Sequence, residues 1–226
     1  MDVKKLSPVK RLALSLDAPL CVTATNPEYT AITPETATQK LKNLESWWDI
    51  HNKEDLESTL KWLDKEGGHT AVYVNILNKL RHLTYEQRLK AVQQAEKNST
   101  EEGIRFNIAH KYFYDLGPYT IRAFDISRYV LLAKSGCTIG WYSENELWEI
   151  ITPQAELIIK HQMFSSHTEY LLSHFVGRTF AMCHGSGDIK ESLRLINVLM
   201  SRPDSPFLSF IDWKEIVSPS AERTVQ

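Results

Sequence analysis

Asp125 and Arg128 are the residues whose types and spacing speak most directly of chemistry. Three positions apart on a helix, they share one face within salt-bridge reach. The sequence around them is apolar on most sides, with Ile121, Phe124, Ile126, Tyr129, Val130, Leu132 and Ala133. A carboxylate and a guanidinium carried into such an interior must be paired, or desolvation costs several kcal/mol. Two roles fit. The pair is an internal bridge that locks helices together, reaching backbone carbonyls near His69 or Gly140, or it belongs to a polar pocket. That pocket, built from Asp125, Arg128, His69 and Arg178, would hold a ligand or serve an enzyme. With no second convergent carboxylate and no poised histidine, the bridge is the favoured reading.

The other candidates are weaker. There are 8 His, but no His-Glu-x-x-His run and no Cys-x-x-Cys pair. His161, His167 and His174 recur regularly, yet seven helical residues rise roughly 10 Å, too far for one straight helix to hold zinc between His167 and His174. No metal site and no cofactor are therefore expected. Gly185-Ser186-Gly187 lacks the glycine spacing of a nucleophile elbow, and the adjacent side chains of Cys183 and His184 diverge. A loop with a helix cap at Ser186 or Asp188 explains that stretch. Trp141-Tyr142 precedes Glu144, Glu146, Glu149 and Glu156, with no Lys or Arg before Lys160. Aromatic anchors beside a patch of one sign suit a basic protein partner. The plainer reading is a solvated helix N-terminus whose carboxylates complement the macrodipole.

The elements that must position these residues read as helices. Thr33-Pro34-Glu35 places a cap before a Pro at the first helical position, opening a segment to about Glu45. Asn52 caps a second, carrying Leu56, Leu60 and Leu63 and stopped at Gly67-Gly68. Val72, Ile76, Leu77 and Leu80 form a third stripe. Thr84 with Gln87, Ser99 with Glu102, and Ser143 with Glu146 each have the capping-box spacing. The segment from Pro118 to Lys134 should be a central helix ended by Gly136. Pro153 should kink or break the helix running from Ser143 to about Phe164. Helices over 165–182 and 188–200 follow. Only Leu20-Cys21-Val22-Thr23 and Cys137-Thr138-Ile139-Gly140-Trp141-Tyr142 offer strand material. The prediction is an all-α fold, a compact multi-helix bundle with little or no sheet. It forms a single domain over 1–226, with an N-terminal extension (1–33) and a frayed tail (214–226). Residues 34–98 and 99–213 are candidate subdomains, divided in the polar stretch Lys90 to Glu102.

Composition agrees with a soluble globular chain. The 226 residues are 42% hydrophobic and 24% charged, with a formal charge of -2, which excludes disordered and collagenous classes. Near-neutrality removes the basic field most nucleic-acid binders use, so nucleic acid is not an expected partner. No apolar stretch is long enough to span a bilayer. The start, Met1-Asp2-Val3-Lys4-Lys5, does not read as a secretory signal. Three widely spaced cysteines, Cys21, Cys137 and Cys183, form no disulfide framework. A cytoplasmic protein with reduced thiols is expected.

The order of short motifs resembles a bacterial family of unknown function, the YbeU/YbeR-like family. It runs from Leu41 to Trp213: Trp48-Asp49-Ile50, Leu60-x-Trp62-Leu63, Gly68-His69, then Ala123-Phe124-Asp125-x-x-Arg128. Gly140-Trp141-Tyr142-Ser143 with Trp148, Gly177-Arg178-x-Phe180, Ser205-Pro206-Phe207 and Asp212-Trp213 complete it. Phe124 stands where members usually have Trp; Ala181 and Phe207 likewise replace a common Trp. The resemblance implies no activity; it suggests an association with polymorphic-toxin loci and hence an immunity role. The leading expectation is a non-catalytic protein-binding module, an immunity protein that occludes a cognate toxin through Trp141, Tyr142, Glu144, Glu146 and Glu149. The alternative is the enzyme or ligand-binding protein built on Asp125, Arg128, His69 and Arg178.

Overall fold

Local caps set most of the helix starts. Asn52, Thr84, Ser99, Ser143 and Ser166 each accept a hydrogen bond from the backbone N–H three residues on. At Thr84 and Ser143 the reciprocal bond from the cap N–H to Gln87 and Glu146 is also made. Ser7, followed by Pro8, starts the first helix in the same way. A computed structural model describes residues 5–21, 37–183, 187–203, 205–209 and 212–213. Its helices are α1 (Pro8–Ser15), α2 (Ala18–Cys21), α3 (Ala37–Trp48), α4 (Lys53–Asp64), α5 (Gly68–Arg81) and α6 (Tyr85–Asn98). Then come α7 (Thr100–Lys111), α8 (Arg122–Thr138), α9 (Glu144–Lys160), α10 (His167–Met182), α11 (Gly187–Ser201) and α12 (Pro206–Ser209). Among the described residues there is no strand, and the fold is all-α.

Helix α8 is the axis. It packs on α2, α3, α4, α5, α9 and α10, and eleven of its seventeen residues are buried. Three apolar clusters meet on or beside it. The largest joins α1, α2, α8, α9, α10, α11, α12 and Trp213; a second joins α5, α6, α7 and α10; the third places Leu44, Leu56, Leu60 and Leu63 against Leu132 and Tyr142. The region before residue 34, set apart in the sequence, contributes Leu12, Leu14 and Leu16 to the largest cluster, all fully buried. It also supplies Asp17, which pairs with Lys134 of α8 at 2.8 Å inside the core.

Several boundaries differ from expectation. α8 starts at Arg122, after a turn in which Thr120 takes a φ of 49°, because the chain from Pro118 is still reversing direction. It does not stop at Gly136 but runs to Thr138. Gly136 is a site of close approach: a Cβ there would meet Leu56 at 2.6 Å and the Tyr142 ring at 2.8 Å. Cys137 and Thr138 are helical, and Ile139 to Tyr142 form the turn that follows. Leu20 and Cys21 close α2. α9 passes through Pro153 without a break; burial of Leu147, Ile151, Ala155 and Ile158 on both sides of it outweighs the hydrogen bond that proline cannot donate. Val22-Thr23, the cap at Thr33-Pro34, the loop from His184 to Ser186 and the tail from Ser218 lie outside the described residues.

Candidate functional site

Asp125, Arg128 and His69 come together where α8 meets α5. The start of α5 has no cap of its own, since its N-cap is Gly67 with φ 83°. Asp125 provides the cap from another helix: its carboxylate accepts from the His69 N–H (3.2 Å), the Thr70 N–H (2.8 Å) and the Thr70 hydroxyl (2.6 Å). Negative charge at a helix N-terminus is doubly favoured there, by free N–H donors and by the dipole. Gly68 makes the approach feasible, with a φ of 50° and a position where a Cβ would lie 2.8 Å from the carboxylate. Burial alone would raise the Asp125 carboxyl, but His69 and Thr70 outweigh it and hold it below its ordinary value.

Arg128 completes the cluster. Its Nη1 donates to His69 Nδ1 at 2.6 Å and stands 3.7 Å from Asp125 Oδ1. Trp48, Phe124 and Trp62 enclose the guanidinium, with ring centroids 4.4, 5.0 and 5.5 Å away. Burial lowers the arginine to about 10, against the opposing pull of Asp125, so it remains charged near neutral pH. Four helices, α3, α4, α5 and α8, thus close on one ion pair. Trp62 and Phe124 also meet the His69 ring edge-on.

Arg178 is placed elsewhere. It lies on α10 and, with His174, Pro19, Leu195 and Leu199, borders a void of about 10 Å³, near the size of one water. His174 is fully enclosed and holds Ser127 Oγ at 2.9 Å. Burial first, then the charges of Arg178 and Arg128, depress its imidazole to about 3.

The aromatic and acidic stretch divides in two. Trp141 is half-buried and Tyr142 is 6% exposed; the N–H groups of both reach the Gly136 carbonyl. Glu144, Glu146 and Glu149 are exposed. Glu146 closes the capping box at 2.7 Å from the Ser143 N–H and lies 3.6 Å from Lys53. Lys53 also approaches Glu57 at 4.0 Å. The first turns of α4 and α9 therefore stand side by side, and their Glu54, Asp55, Glu144 and Glu146 share one acidic end of the molecule.

Tryptophans on apolar helix stripes read as core packing by default, and Trp47 departs from that reading. Trp47 is 78% exposed and precedes the α3 terminus, where Asp49 adopts a left-handed φ of 55°. Glu45, Asp49 and Asp55 all act on His51, whose imidazole is raised chiefly by its hydrogen bond to Asp49. Lys40, Leu44 and Trp48 face inward on α3, whereas Trp47, three positions after Leu44 and so not set apart from it by helical spacing, stays exposed. Among the described residues, no three His, Cys, Asp or Glu side chains gather as metal ligands. No helix there is long and apolar enough to cross a membrane.

A family model described as "Protein of unknown function (DUF1266)" matches residues 43–214. The chain belongs to the DUF1266 family. Trp48, Trp62, Gly68, His69, Phe124, Asp125 and Arg128, which lie in widely separated motifs of the DUF1266 segment, converge on the single cluster above. Its last motif packs elsewhere, in the largest apolar cluster: Trp213 Nε1 donates to the Phe164 carbonyl at 2.8 Å, and Phe207 stacks on His167. No curated protein and no solved structure matches the chain.

Proposed function

We propose that this DUF1266 protein is a non-catalytic, cytoplasmic protein-binding module, most concretely an immunity protein that neutralises a cognate bacterial toxin by occluding it. The YbeU/YbeR-like resemblance belongs to this proposal, since the toxin-locus association rests on it. The observation that carries the reading is the acidic end where α4 and α9 begin, with Lys53 between the two first turns and Trp47 exposed nearby. A net-acidic patch speeds encounter with a basic partner, and an exposed tryptophan is the residue type that most often anchors an interface. Trp141 and Tyr142 then act as the internal support of that surface, with Glu144 and Glu149 as its contacts. The polar cluster at Asp125 speaks against the ligand-binding alternative. Its carboxylate is occupied by His69, Thr70 and Arg128, and neither the void at Arg178 nor the groove beside Tyr142 is lined by it.

The test is co-expression with the products of the flanking genes, the expected toxin among them. The wild-type chain should copurify with it and restore growth. Glu144→Lys with Glu149→Lys, which leaves the Glu146 cap intact, should abolish both. Unchanged protection by that variant would remove this surface from the account.

A further inference from the structure

Arg88 faces inward from α6 beside Val92 and Ala95 and is only 6% exposed. An enclosed cation calls for a carboxylate, and this fold supplies one elsewhere. Lys134 has Asp17 at 2.8 Å, Arg122 has Asp64 at 3.2 Å and Arg128 has Asp125 at 3.7 Å. Among the described residues Arg88 has no ion pair, and its only hydrogen bond runs from Nη2 to the Tyr114 hydroxyl at 2.8 Å. Phe113 and Tyr114 lie against the guanidinium, with ring centroids 4.3 and 5.2 Å away. Rings offset part of the desolvation but bring no counter-charge.

Nothing nearby makes up the deficit. The carbonyls of Ile108, His110 and Tyr112, where α7 ends, accept from backbone N–H groups and not from Arg88. Glu86 and Asp115 are exposed, and neither pairs with Arg88; Asp115 bears on Tyr73 instead. His110 stands against the Tyr85 ring at 5.4 Å. Its imidazole is lowered by burial and then by the charge of Arg88, with no carboxylate pulling the other way.

One edge of the guanidinium is offered to solvent. Nε is sealed inside the protein and contributes nothing to a surface site. Nη2 is tied to a phenol that is 79% exposed, and Nη1 has neither a partner nor a complete covering of protein. The Tyr114 oxygen accepts from Nη2, which leaves its own proton free to donate. Three donors thus converge, two of them on a planar fork that matches the two oxygens of a carboxylate. A phosphate dianion would meet only one fixed charge there, because His110 stays neutral near neutral pH. Tyr85 and Leu89, both exposed, lie one helical turn apart on α6 and offer an apolar surface next to the fork.

We infer that the outer edge of Arg88 and the Tyr114 hydroxyl bind a carboxylate, with Tyr85 and Leu89 covering the apolar group that carries it. The site belongs to α6 and the end of α7, which packs on α5 and α10, and it does not rest on the protein-binding reading of the acidic end.

Phenylacetate is the probe, followed by backbone amide shifts in the full chain at constant ionic strength. Phenylacetamide, its neutral isostere, and inorganic phosphate are the controls. Phenylacetate should move the amides of residues 85–89 and 110–114 saturably and raise the thermal midpoint, and the controls should do neither at the same concentration. Arg88→Met should abolish the response. Tyr114→Phe, which removes a single exposed hydroxyl and leaves the fold alone, should weaken phenylacetate roughly fivefold, the worth of one hydrogen bond. No shifts from phenylacetate, equal shifts from phenylacetamide, tighter binding of phosphate, or a Tyr114→Phe titration identical to the wild type would each overturn the inference.

Discussion

Asp125 has three obligations at one carboxylate: it caps α5, pairs with Arg128 and packs against Gly68. Removing a partner from a buried ion pair costs about 3–5 kcal/mol, because the other charge is left uncompensated. Asp125→Ala should therefore lower unfolding stability by about that amount in urea denaturation. Gly68→Ala should also be strongly destabilising, since it brings both a clash and a left-handed strain. A loss under about 0.5 kcal/mol for Asp125→Ala, the range of ordinary surface changes, would show that the cluster does not hold the helices. His174 gives a pH signature. An unfolded histidine takes up its proton near 6.5, whereas the buried His174 does so only near 3. Between those values the unfolded state binds the extra proton, so stability falls as pH drops through the window. Asp125, with its lowered carboxyl, adds its loss only below about 3.8, its ordinary value. Thermal midpoints should decline from pH 6.5 downward, and His174→Gln should flatten the part of that decline above pH 4.

Among the elements, those with a local start signal behaved as their sequences indicate. The caps at Asn52, Thr84 and Ser143 work through bonds spanning three residues, so nothing distant can alter them. Ser143→Ala should cost about 1 kcal/mol by denaturant midpoint, the usual worth of a cap; no change would mean that packing alone starts α9. Ends set by tertiary contact were not legible. Glycine normally stops a helix, yet Gly136 lies inside α8 because α4 and the Tyr142 ring press against it. Pro153 is tolerated for a similar reason, since apolar burial on both sides holds the helix through it. The Asp125–Arg128 bridge was legible as i, i+3 spacing in an apolar run. Its partners at Thr70, Trp48 and Trp62 were not, being 55 or more positions from either charge. Trp47 was not legible either, since both it and Trp48 lie within one turn of Leu44 and spacing alone does not say which faces inward.

Across the whole molecule, the DUF1266 match begins at residue 43, but the core begins earlier. α1 packs on α9, and Leu12, Leu14 and Leu16 are fully buried, each worth roughly 1.5–3 kcal/mol. Asp17 neutralises Lys134 in the same interior. Deleting residues 1–21 strips all of these at once and should leave a chain that is aggregated or unfolded by circular dichroism. A cooperative thermal transition at the full-length midpoint would show that α1 and α2 are dispensable. The near-neutral total of -2 conceals the feature on which the functional account depends, the gathering of carboxylates where α4 and α9 begin. The measurement that bears on it most directly is calorimetric titration of the protein captured in that co-expression into the full chain, with and without Glu144→Lys and Glu149→Lys. The account predicts tight binding by the wild type that weakens with added salt, and at least a hundredfold loss in the doubly reversed chain. Equal affinity in both chains, or no heat of binding from the wild type, would contradict it.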